Sequence, residues 1–449
     1  MNKKEIEDLR SKINNIDDDI LSLLSERSKI VLEIGKQKKD NPVIDIDREQ
    51  KILNRLTNKF KGSYPIDTIV RIWREIFQSS EKIQKLNNES IQSKRSINSI
   101  NVYKGGKSKL NNNKRVIKLS SNENPYGPSP EVIRVLKTNN INNDLNRYPE
   151  IDGSSLREAI SKHFSIDSKR VILGSGSDEL LLFAALAFCQ DGDEILHANH
   201  GFEMYSIVSK VVGAVPKKIK EDVNFNLNIE NLIDQTNDAT KVIYIASPNN
   251  PTGTYLSRDQ LVKLMNSISK NIIVVIDGAY VEYVQKDDYD KGFSLTDEYE
   301  NIILTRTFSK TYGLAALRVG WCYTSQKIAD IINKIKPPFN TTTISQSLAI
   351  KALEDKEHIE NSVKLNSEIK DWFEKELKLL NIKTRQTEGN FTLIETSEEE
   401  AEKISNHLMN DGIIIRRLNS YNLPNFLRIS IGTKEEMNLT VESLKKFNV

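Results

Sequence analysis

Cysteine is almost missing from this chain, with two in 449 residues. Cys189 and Cys322 lie in apolar contexts with no ligand spacing around them, which excludes a disulfide scaffold or a cysteine-bound metal and fits a reducing compartment. Neither reads as a catalytic thiol. Long apolar runs are missing too. The longest, Leu180 to Cys189, falls well short of the ~20 residues that span a bilayer, and Met1-Asn2-Lys3-Lys4-Glu5 opens no apolar signal region. The expectation is a cytoplasmic protein without a membrane partner. Net charge is equally scarce, because 64 basic residues nearly cancel 62 acidic ones. Such a balance gives no reason to expect nucleic acid as a partner, so any anion site must be local. No repeat recurs at a fixed period.

Glycine is rare at the start: residues 1–86 hold only Gly35 and Gly62, and their apolar positions recur at helical spacing. This portion reads as an all-α domain of three helices. Asn41-Pro42 ends the first, and Asp47 with Gln50 three residues on forms a capping box that starts the second. The sequence then turns to Asn, Ser, Lys and Gly until about 115, with a linker placed at 87–96. From Val116 onward, short β-branched runs such as Val242-Ile243-Tyr244-Ile245 and Ile302-Ile303-Leu304 alternate with amphipathic stretches. That alternation predicts an α/β domain over 97–449, with a mainly parallel sheet sandwiched by helices. The large part is expected over about 145–340. A smaller α+β subdomain covers about 345–449 plus the N-terminal arm, with strands at Ile413–Ile415 and Leu427–Ile431.

The first helix carries a heptad seam of Ile6, Leu9, Ile13, Ile16, Ile20, Leu23, Arg27, Ile30 and Ile34. A buried, unpaired guanidinium costs several kcal/mol, so Arg27 must meet an anion. The plain reading is a helical bundle or dimerisation module in which Arg27 pairs with a nearby Glu. The third helix repeats the oddity, with Ser80 and Gln84 beside Ile66, Ile69, Trp73, Ile76 and Ile83. Taken together, Arg10, Arg27, Lys38, Asp45, Arg48, Glu49, Ser80 and Gln84 closely resemble the polar set of the all-α chorismate mutase family across nearly all of residues 1–86. The resemblance implies an intertwined homodimer in which Arg10 reaches the partner's site. It also implies that Arg27, Arg48 and Arg10 hold the two carboxylates of chorismate, while Lys38 and Gln84 meet its ether oxygen. The rearrangement to prephenate needs no nucleophile or metal, only a folded substrate and fixed cations facing the developing charge.

In the larger part, polar residues cluster where strands end, which is where open parallel sheets bind ligands. Gly174 to Ser177 turns from a strand into a helix that starts near Asp178, a ready phosphate site. Ser247-Pro248-Asn249-Asn250-Pro251-Thr252-Gly253 follows another strand. Asp277 ends a third, with Tyr280 three residues on, and Thr305-Arg306-Thr307-Phe308-Ser309-Lys310 ends a fourth, with Arg318 eight residues beyond. Each alone has a plain explanation as a cap, a solvated lysine or a common turn. Two decoys fail. Gly105-Gly106-Lys107-Ser108 has Asn101 where a phosphate-binding loop needs glycine, and Gly174-Ser175-Gly176 has Glu179 at the third glycine of a dinucleotide fingerprint.

The ordered set resembles the fold type I aminotransferases over about 97–449. Within them it is most similar to the histidinol-phosphate aminotransferases, through Ser121-Asn122-Glu123-Asn124-Pro125-Tyr126-Gly127, Asn146-Arg147-Tyr148-Pro149-Glu150 and Phe426-Leu427-Arg428-Ile429-Ser430. The resemblance implies pyridoxal 5'-phosphate, with Lys310 carrying it, Asp277 facing the ring nitrogen, and Tyr280 and Asn250 on the phenolic oxygen. Ser177, Asp178, Thr307, Ser309, Arg318 and Tyr148 of the partner subunit would hold the phosphate, and Phe202 would stack on the ring. Arg428 would clamp the substrate carboxylate, with Arg416 and Asn124 also at the substrate. Gly278 after Asp277 and Lys104-Gly105-Gly106 after Tyr103 depart from the commoner family pattern.

Two activities on one chain are the resulting expectation: chorismate rearrangement, and transamination of histidinol phosphate, of aromatic substrates (prephenate or aryl pyruvates), or of both, with glutamate and 2-oxoglutarate. The alternative is an aminotransferase whose helical domain only regulates or dimerises. The partners expected are small molecules and a second copy of the chain.

Overall fold

The computed structural model describes residues 3–37, 46–84, 93–103, 105–106, 115–138 and 146–447. The chain divides into two compact units, Met1–Ser99 and Ile100–Val449.

Three helices form the first unit: α1 (Lys3–Gln37), α2 (Ile46–Lys59) and α3 (Ile66–Gln84). Both α1 and α2 pack on α3, and Val31, Leu53 and Phe77 are buried in this unit. Gly35 lets α3 come close, since a Cβ there would sit 3.0 Å from Cγ of Gln84. Most of the α1 seam is left uncovered, with Ile13, Ile16 and Ile20 each more than half exposed.

The second unit contains β1 (Ile117–Leu119), β2 (Val171–Gly174), β3 (Glu194–Ala198), β4 (Val215–Ile219), β5 (Thr240–Ala246), β6 (Ile273–Asp277), β7 (Ile302–Thr307), β8 (Gly320–Thr324), β9 (Lys383–Arg385), β10 (Phe391–Glu395), β11 (Ile413–Leu418) and β12 (Leu423–Ser430). Strands β2 to β8 build one sheet in the order β2-β8-β7-β6-β5-β3-β4. Its pairs are parallel except where β8 runs antiparallel to β2 and β7. The central strands are apolar on both faces because helices cover both. Leu173, Ile243, Val274 and Leu304 enter the core on one side, and Ile172, Tyr244, Val275 and Ile303 the core on the other. This is the two-residue alternation of a strand expressed as two layers.

The smaller sheet runs β1-β11-β12-β10-β9, with β1 parallel to β11. The helices Lys356–Leu379, Glu398–Asn410 and Lys434–Phe447 cover it through Phe373, Ile404 and Leu444. Two expectations need correction. The helix Thr343–Glu354 buries Leu348, Ala349 and Ala352 in the large core, so the small lobe begins at Lys356 rather than near 345. Beyond that point there are four strands rather than two, because β9 and β10 are short runs whose pairing, β9 with β10 and β10 with β12, no local pattern announces. Among the described residues no helix is long and apolar enough to cross a membrane, and no cluster of His, Cys, Asp and Glu could hold a metal.

Candidate active site

A cleft of about 300 Å³ opens over the carboxyl ends of β5, β6 and β7, against β11 and β12 of the small lobe. Asp277, the last residue of β6, and Lys310, three residues past β7, both line it. The Asp277 carboxylate accepts from the Tyr205 hydroxyl at 2.9 Å and the Thr305 hydroxyl at 3.0 Å. Burial pushes this carboxyl above its ordinary range, and the two hydroxyls act in the opposite direction. A protonated ring nitrogen opposite would further favour the charged form. Lys310 Nζ donates to the Ser121 carbonyl at 3.1 Å and stands 5.6 Å from the centre of the Tyr280 ring.

One end of the cleft suits a phosphate. The helix Ser177–Phe188 starts there, and its N-cap, Gly176, has no side chain to cap the first turn, which leaves N–H groups for a ligand. Gly176 has φ +81, and a Cβ on it would lie 2.4 Å from a terminal nitrogen of Arg318. Only glycine lets the guanidinium lie across the turn. Arg318 itself takes a left-handed φ of 49 and donates to Ala315 O at 3.1 Å and Ser309 Oγ at 3.4 Å, with Asp178 3.5 Å away. Thr307, Ser309, Ser177 and Asp178 complete this end.

Cations mark the other end. Arg416 and Arg428 are direct cross-strand partners on β11 and β12, and both line the cleft. Arg428 is 5 % exposed. One terminal nitrogen donates to Asn250 Oδ1 and the other to Ser120 O at 2.8 Å, while its buried Nε has no partner among the described residues. Burial lowers its pKa, which a bound anion would reverse. Because the Asn250 carbonyl faces Arg428, its NH₂ is left to face the cleft. Phe202 also lines the site, edge-on to Tyr205 at 5.9 Å and to Tyr103 at 6.4 Å.

Asn124 is not brought to the cleft. Its amide donates to Thr311 O at 2.7 Å and Ser362 Oγ at 3.2 Å, and its oxygen caps Tyr126 N, so it braces the loop beside Lys310. Tyr148 is absent from its own chain's cleft and stands 81 % exposed, stacked on Phe339 at 4.6 Å. Lining residues to which the sequence alone assigned no role include Tyr103, Asn122, Tyr205 and Tyr421. Asn122 lay in a quoted motif, and Tyr205 stands three residues after Phe202; nothing local marked Tyr421.

In the helical unit, Arg27 is half-buried and its pKa is lowered by burial. It donates to Ser80 Oγ at 2.5 Å and lies about 6 Å from the Trp73 and Phe77 rings. Among the described residues it meets no carboxylate, contrary to the neighbouring-Glu expectation. Gln84 reaches across to Val31 O at 3.0 Å. Arg48 and Glu49 lie in the first turn of α2, and Arg10 is exposed on α1. Lys38 and Asp45 fall outside the described residues, and so does the side chain of Asp47.

Residues 114–444 match the model of the family described as aminotransferase class I and II, and residues 9–85 match that of chorismate mutase type II. A histidinol-phosphate aminotransferase from Dinoroseobacter shibae is 39% identical over 349 residues, covering 78% of this chain and 95% of the relative. One from Pelagibacter ubique is 39% identical over 353 residues, covering 78% and 97%. The histidinol-phosphate aminotransferase of Sinorhizobium meliloti, solved with pyridoxal-5'-phosphate, superposes with a TM-score of 0.70 at 23% identity, over 74% of this chain and 92% of that one. At that identity the likeness is one of fold.

Proposed function

Because the chain belongs to the aminotransferase class I and II family, we propose that its larger unit transaminates histidinol phosphate, with glutamate and 2-oxoglutarate as the second pair, and that its helical unit rearranges chorismate to prephenate. The cofactor of the larger unit is pyridoxal 5'-phosphate, which when bound supplies an electron sink for the charge left at the substrate's α-carbon. Lys310 would carry it, and its amine is the group placed to take a proton from the substrate's Cα. Asp277 would keep the ring nitrogen protonated. Asn250 and the Tyr280 hydroxyl would donate to the phenolic oxygen. The 177–188 helix, Thr307, Ser309 and Arg318 hold the phosphate, joined by Tyr148 of the partner subunit.

The observation that carries the substrate reading is the Arg416–Arg428 pair, with the buried Nε of Arg428 unpaired among the described residues. Histidinol phosphate brings a phosphate monoester, and glutamate brings two carboxylates. Two guanidinium groups at one end serve both in turn, since each forks onto oxyanions. The match to chorismate mutase favours a second reading, in which prephenate or an aryl pyruvate is aminated. Half-reaction rates with histidinol phosphate, phenylalanine and arogenate separate the two. Histidinol phosphate is expected to react fastest; a faster aromatic substrate would replace this assignment.

For the helical unit, support comes from a half-buried Arg27 that meets no carboxylate among the described residues. Chorismate would supply the anion, with Arg48, Lys38, Asp45, Glu49, Ser80 and Gln84 around it. The uncovered α1 seam supports a dimer in which Arg10 completes the partner's site.

A further inference from the structure

Asn122 is a buried polar residue of the cleft, 1 % exposed. It holds a left-handed φ of 55, a conformation that asparagine, aspartate and glycine tolerate best. Its backbone N–H donates to Ser430 Oγ at 2.8 Å, and Ser430 returns its only proton to Asn122 Oδ1 at 2.9 Å. Its carbonyl accepts from Asn390 at 3.0 Å. With Oδ1 engaged, Nδ2 faces the Tyr280 hydroxyl and donates to it at 3.0 Å.

From this geometry we propose that Asn122 is a positioning residue that sets the polarity of the Tyr280 hydroxyl. It rests on the cofactor placement argued above and adds a residue to it. A tyrosine oxygen that accepts from an amide must send its own proton elsewhere, and the open direction is the cleft, where the phenolic oxygen is held. Accepting one hydrogen bond also polarises the O–H and strengthens the one it donates. Asn122 therefore tunes the cofactor without touching it. The sign follows from charge. Donors to the phenolic oxygen favour the form of the lysine-bound cofactor that has lost its proton, because in that form the oxygen's negative charge has no cation beside it. Weakening the donor should raise the pH at which that proton leaves.

The test is to titrate the visible absorbance of the cofactor-loaded protein against pH in the wild type, Asn122→Gly, Asn122→Asp, Tyr280→Phe and the Asn122→Gly/Tyr280→Phe double variant. Glycine and aspartate keep the left-handed backbone. Asn122→Gly should raise the midpoint by roughly 0.3–1 unit. Asn122→Asp should raise it close to the Tyr280→Phe value, because a carboxylate takes the tyrosine's proton for itself. The double variant should titrate no higher than Tyr280→Phe alone. An unchanged midpoint in both single Asn122 variants, or a full Asn122→Gly shift persisting without the hydroxyl, overturns the proposal. If the wild type has no titrating visible band, the cofactor placement itself fails.

Discussion

Asp277 shows how much a single carboxylate depends on its neighbours. It ends a buried strand, and burial alone pushes it toward its neutral form. Tyr205 and Thr305 each give it a hydroxyl proton, and Tyr205 is itself held, face to face with Tyr244 at 5.0 Å. Tyr205→Phe removes one donor and keeps the ring, so the carboxyl should rise further. The charged form then needs a higher pH, and the acid limb of the transaminase pH profile should move upward. At neutral pH, kcat should fall roughly ten- to hundredfold, the scale of one hydrogen bond to a buried charge. Stopped assays across the profile with saturating cofactor check both effects; an unmoved acid limb would assign Tyr205 to packing alone.

Among the elements, the turn from β2 into the 177–188 helix is the most constrained. Gly176 combines a positive φ with a guanidinium lying where a Cβ would be, and behind it a Cβ on Gly320 would lie 2.8 Å from the backbone of Gly176 and Ser177. Gly176→Ala should therefore leave the sheet folded and raise the cofactor's dissociation constant, by about tenfold or more for a strain of 1–3 kcal/mol. Fluorescence titration with the cofactor, beside far-UV circular dichroism, measures it. This turn was legible in the sequence because glycines between a strand and a helix carry a local signature. So were Asp277, Lys310 and Arg318, which stand at fixed distances from strand ends. The antiparallel insertion of β8 was not, since Gly-Trp-Cys-Tyr-Thr reads as a strand without a direction. Asn124 was misplaced for a related reason: a motif gives a residue's neighbourhood, but whether its amide turns to the cleft or to Thr311 depends on chain nearly two hundred residues away.

For the whole molecule, two compact units should mean two separable chemistries. Arg27→Ala should abolish chorismate turnover in a folded protein and leave transamination within about twofold of wild type. Lys310→Ala should remove the cofactor's visible absorbance and cut transamination by roughly three to four orders of magnitude, with chorismate turnover intact. Running both assays on both variants tests the division, and a loss that crosses from one assay to the other would show coupling between the units. The order of the small sheet has its own bearing on how the protein can be cut. β1 comes from the start of the larger unit and covers β11, the strand that carries Arg416. A version trimmed past residue 119 would keep every residue proposed to grip the cofactor, yet it would leave β11 as a raw border of unpaired amides, open to strands of other molecules. Such a fragment would be lost to clumping before its chemistry could be measured.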